Sequence, residues 1–120
     1  MDQPRLAADK IGPTALDVVS NFHRSIVDRV AATVASDPVV IVGMAQNPVV
    51  KGARKLLDEE GVKFTYLEYG SYFSQWKERL AIKLWAGFPT FPMVFIDGVL
   101  EGGASDLERL RGEGRLKPRA

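Results

Sequence analysis

Val39-Val40-Ile41-Val42 is an unbroken run of four β-branched residues, and Asn47-Pro48, a preferred helix N-cap followed by a preferred first helical residue, comes five residues after its end. An apolar run without alternation suits a strand covered on both faces, as in a parallel sheet flanked by helices. Val50, Ala53, Leu56 and Leu57 continue as one apolar stripe at helical spacing, and Gly61 supplies a left-handed stop. Residues 62–68 then read as a second strand, with Val62, Phe64 and Tyr66 on one face and Thr65 and Leu67 on the other. The result is a βαβ unit, whose crossover is right-handed.

The rest of the chain fits around that unit. A helix is expected to start near Ser71 or Ser74 and to run to Ala86, with Gly87 as its stop and Pro89 just beyond. Residues 93–96 and 99–101 flank Asp97-Gly98, a strong hairpin signal. Gly102-Gly103 leads to Ser105 or Asp106, either of them a cap for a last helix carrying Leu107 and Leu110. Upstream, Val19, Phe22, Ile26, Val30 and Val34 recur at helical spacing from Thr14, a capping candidate with Asp17, until Ser36-Asp37-Pro38. Ser20-Asn21 leaves open whether this is one helix or two. At 120 residues there is length for one core. We divide it into a flexible polar arm (1–13), a domain (14–112) and a basic tail (113–120).

Composition excludes several function classes. Sixteen basic against fifteen acidic residues leave a charge of +1, with no global pull toward nucleic acid or membrane. The tail, with Arg109, Arg111, Arg115, Lys117 and Arg119, leaves room for an acidic partner, although a solvated terminus is the simpler reading. The start of the chain lacks the layout of a signal peptide, so a cytoplasmic protein is expected. There is no cysteine, which removes disulfides, thiolate metal sites and thiol nucleophiles together. His23 alone builds no zinc site and reads as a surface side chain on a helix.

Phe88-Pro89-Thr90-Phe91-Pro92, then Asp97-Gly98, then Gly102-Gly103-Ala104-Ser105-Asp106-Leu107, in that order behind a βα unit, resemble a glutaredoxin, especially the monothiol type. The resemblance spans about residues 25–110. It implies a thioredoxin-like α/β fold: a four-stranded mixed sheet flanked by helices, with an extra N-terminal helix and a cis peptide before Pro92. It places Asn47 and Val50 at the two cysteine positions and Met44 at a lysine that contacts glutathione. By the same resemblance Thr90, Phe91 and Pro92 offer backbone to glutathione or a peptide, and Arg79 helps hold a glycine carboxylate. Gly103, Ser105 and Asp106 meet the γ-glutamyl end.

Each of these residues also has a plain structural reading. Asn47 suits an N-cap, Arg79 a solvated helix face, Ser105 and Asp106 a cap, and Pro92 a required turn. Tyr69, Tyr72, Phe73, Trp76, Trp85 and Phe88 are more aromatics than a small helix-covered sheet needs, so a partly exposed binding patch stands beside the core reading. The expected function is a non-catalytic binding module that requires no cofactor, with glutathione as a weak ligand or a protein as partner. The alternatives are an enzyme that uses glutathione itself as nucleophile, and an assembly element. The oligomeric state stays open.

Overall fold

The structure, a computed structural model, describes residues 6–116. The first part of the polar arm (1–5), and Lys117 and Arg119 in the tail (117–120), lie outside the described residues. After a 3-10 turn at Ala8–Lys10 come α1 (Pro13–Asn21), α2 (Arg24–Ser36), β1 (Val39–Gly43), α3 (Pro48–Glu59) and β2 (Thr65–Glu68). Then follow α4 (Trp76–Ala86), β3 (Met93–Ile96), β4 (Val99–Gly102) and α5 (Ala104–Gly112). The strand order is β2-β1-β3-β4, parallel between β1 and β2 and antiparallel elsewhere. This is the expected four-stranded mixed sheet with an N-terminal helical extension.

The unbroken apolar run becomes β1, one of the two inner strands, buried along its whole length. Its alternate residues feed two cores. Val40 and Val42 pack with Met93, Phe95, Val30 and Val34 of α2 and Ile82 of α4. Val39 and Ile41 pack on the other face with Val94, Ala53, Leu56 and Leu57 of α3 and Leu107 of α5. A fully buried Val, Leu or Ile contributes about 1.5–3 kcal/mol relative to exposure, so a strand covered on both faces anchors the fold.

Several boundaries differ from the sequence expectation. The N-terminal stretch forms two helices, and the break falls at Phe22-His23, two residues later than Ser20-Asn21 suggested. His23 adopts a left-handed conformation there, so it is not on a helix, and its Nδ1 lies 3.8 Å from Glu78. Gly12 rather than Thr14 stands at the N-cap of α1, and α1 buries no residue, which leaves Val19 exposed. β2 begins at Thr65, which pairs with Val40 of β1, rather than at Val62, although Val62, Phe64 and Tyr66 do share a face. α4 begins at Trp76, not Ser71 or Ser74, and α5 is capped by Gly103, with Asp106 inside its first turn.

Asp37 links the end of α2 to β2. Its carboxylate accepts hydrogen bonds from the Thr65 hydroxyl at 2.6 Å and the Ser36 hydroxyl at 2.8 Å, and these hold its pKa below the usual carboxylate range. A pKa lowered by folding stabilises the protein above the unfolded value of about 3.9 and loses that contribution as pH falls through the folded value. Thr65→Val is therefore expected to lower the urea midpoint at neutral pH and to flatten the acid limb below about pH 4. An unchanged limb would assign the acid sensitivity to other carboxylates.

Candidate functional site

The site is built where β1 passes into α3. Gly43 ends the strand with no room for a side chain: a Cβ there would stand 2.7 Å from Val50 Cγ1 and 3.1 Å from the Tyr66 ring. The first turn of α3 therefore lies directly against the strand end. The end of β1 and the loop after it are tied to the segment that follows β2, by the Tyr69 N–H on the Gly43 carbonyl (2.9 Å) and the Ala45 N–H on the Gly70 carbonyl (2.6 Å). Met44, in this loop, is buried and carries no charge.

Asn47 is a full N-cap. Its Oδ1 accepts the N–H groups of Val49 (2.9 Å) and Val50 (3.1 Å), and the Lys51 N–H bonds to its carbonyl at 3.1 Å. Pro48 has no N–H to offer. Each first-turn amide that a thiolate or other anion would use is thus satisfied within the chain, so α3 presents no free donor set at its start. The Asn47 amide nitrogen donates to the Tyr72 hydroxyl over a long 3.4 Å. Val50, which the resemblance sets at a cysteine position, is buried as a core residue.

Beyond α3 the Phe91–Pro92 peptide is cis and β3 follows at once. Gly102, at φ +126°, leaves the space that Asp106 occupies: a Cβ there would collide with the Asp106 carboxylate. That carboxylate accepts the Gly103 N–H at 2.9 Å, which closes the start of α5 from inside the first turn. Thr90, Phe91, Pro92, Gly103, Ser105 and Asp106 come together around one open cleft of about 270 Å³, joined by Val49, Phe88 and Ala104. Lys83 holds its ammonium 5.6 Å from the Phe91 ring.

Arg79 stands apart from this group. It is only 7% exposed and does not line the cleft. Its Nη1 donates to the carbonyls of Tyr69 (2.9 Å) and Ser74 (2.6 Å), binding the ends of the 70–75 turn together. The solvated-face reading does not hold for it. The sequence does carry a signal for this role: the segment Gly70 to Gln75 between strand and helix leaves backbone carbonyls in need of a donor. The aromatic set divides, with Tyr69 buried and Tyr72, Phe73 and Trp76 exposed.

No protein-family model matches the chain. Over 98 residues it is 49% identical to the glutaredoxin-like protein of Dictyostelium discoideum, covering 82% of this chain and 80% of that one. It is 35% identical to glutaredoxin-C6 of Oryza sativa subsp. japonica, covering 72% of this chain and 77% of the relative. The crystal structure of the buckwheat glutaredoxin–glutathione complex superposes with a TM-score of 0.68 at 22% identity, covering 80% of this chain and 87% of that one. That likeness speaks for the fold. Identities of 49% and 35% over more than three quarters of each relative carry more: this chain belongs to the glutaredoxin family, as a member that contains no cysteine.

Proposed function

We propose that this chain is a binding module without thiol chemistry, which holds glutathione or an extended peptide end in the cleft between α3, the Phe91–Pro92 segment and α5. The observation that carries the reading is the convergence of Thr90, Phe91, Pro92, Gly103, Ser105 and Asp106 on one cleft. Thiol–disulfide exchange needs a thiolate that attacks sulfur, and a cluster needs thiolate ligands on iron. The chain has neither. An enzyme that activates glutathione as the nucleophile needs free amides at the start of α3, and Asn47 occupies those of Val49 and Val50. The glutathione complex of the buckwheat protein makes glutathione the first ligand to try.

Calorimetric or NMR titration with reduced glutathione is expected to show saturable binding with Kd on the order of millimolar, since backbone contacts dominate and Met44 supplies no charge. Ser105 is exposed on the cleft wall. Ser105→Trp should fill the cleft and abolish the titration while changing stability by no more than about 0.5 kcal/mol. Absence of saturation in wild-type protein would leave the cleft without this ligand and favour the assembly role.

A further inference from the structure

α4 buries Arg79, Ala81 and Ile82, yet on its other side Trp76, Leu80 and Leu84 face solvent at i, i+4 and i+8. Apolar residues at this spacing ordinarily form the face a helix turns to its core. Here the core face is a different set. Tyr72 and Phe73, 60% and 94% exposed, extend the stripe beyond the start of the helix. Trp85 carries it past Leu84 into a groove of about 360 Å³ shared with Val19, Phe22 and Val27.

At roughly 150–250 Å² for a whole aromatic side chain, the exposed parts of the four aromatics amount to about 500 Å², and Leu80, Leu84 and Val19 raise the total to about 700 Å². The largest apolar patch of a typical monomer is about 300–600 Å². One side of a standard protein interface is about 800 Å².

We propose that this face of α4 is a homodimer interface, with a second copy of the chain packed across a two-fold axis near Leu80. The stripe carries an apolar residue four positions to either side of Leu80, so an antiparallel pair sets each Trp76 against Leu84 of the other copy and Leu80 against its equivalent. A net charge of +1 opposes association very little. Lys77, over the Trp76 ring, and Lys83, over Phe91, have no carboxylate partner among the described residues and provide a polar rim. No residue of the stripe lines the cleft, and the two proposals are read by different measurements, so they fail independently.

The test is sedimentation equilibrium of the full chain over a concentration series. The expected mass rises from 13.2 kDa toward twice that value. Leu80→Glu, and separately Phe73→Ser in the loop where helix folding is not at issue, should each raise the dissociation constant by about tenfold or more with unchanged circular dichroism. Val99→Glu, an exposed apolar position on β4, should leave it unchanged. A mass of 13.2 kDa throughout, or a dimer indifferent to both α4-face variants, overturns the proposal. So does a monomer whose tryptophan emission shifts only with vesicles of anionic phospholipid, which would give the face to a membrane.

Discussion

Replacing Asn47 by cysteine is expected to give this chain a thiol that ionises below the free value of about 8.5 and that forms a mixed disulfide with oxidised glutathione, a reaction the wild-type chain has no sulfur nucleophile to perform. The cause is local. Removal of Asn47 Oδ1 frees the amides of Val49 and Val50, which then face the new sulfur at the positive end of α3. Met44 adds no cation, so the lowering comes from the helix start alone. The same change removes an N-cap and should cost about 0.5–2 kcal/mol. The pH dependence of alkylation of this single thiol, beside urea unfolding of both proteins, measures both effects. A thiol titrating at or above the free value, with no loss of stability, would mean that Asn47 does not stand at a helix start.

The contrast between what the sequence displayed and what it concealed follows from the range of the interactions. The β1 run, the Asn47-Pro48 helix start and the Asp97-Gly98 hairpin are local signals, legible because each is written in a few consecutive residues, and the structure contains all three. The cis peptide at Phe91–Pro92 and the cleft around it were legible through the family resemblance. Concealed features depend on distant partners. His23 takes a left-handed conformation with no glycine to announce it. Gln75 does the same just before α4, so the helix starts later than the serines upstream suggested. Ser105 and Asp106 looked like interchangeable caps, yet only the Asp106 carboxylate reaches back to Gly103, into the space that Gly102 leaves free. The aromatic excess between residues 69 and 88 was visible, but which rings stay outside depends on which face of α4 meets α2 and the sheet.

Arg79 separates the structural reading of a residue from the functional one most clearly, and Arg79→Ala is expected to destabilise the chain by about 2–4 kcal/mol. An arginine on an amphipathic helix ordinarily reaches solvent. This one is buried, and its Nη1 holds the carbonyls of Tyr69 and Ser74, so truncation removes two charge-assisted hydrogen bonds and strands the buried Tyr69 carbonyl without a partner. Arg79→Lys should recover only part of the loss, because the shorter lysine side chain does not carry its ammonium to the place that Nη1 holds between the two carbonyls. Thermal unfolding and proteolysis of the 70–75 turn report the stability term. Glutathione titration well below the unfolding transition reports the other: a guanidinium committed to the turn and absent from the cleft wall should leave the affinity unchanged. Equal stability with weakened binding would return Arg79 to the carboxylate-holding role that the family resemblance implies, and would place the ligand across α4 as well as the cleft.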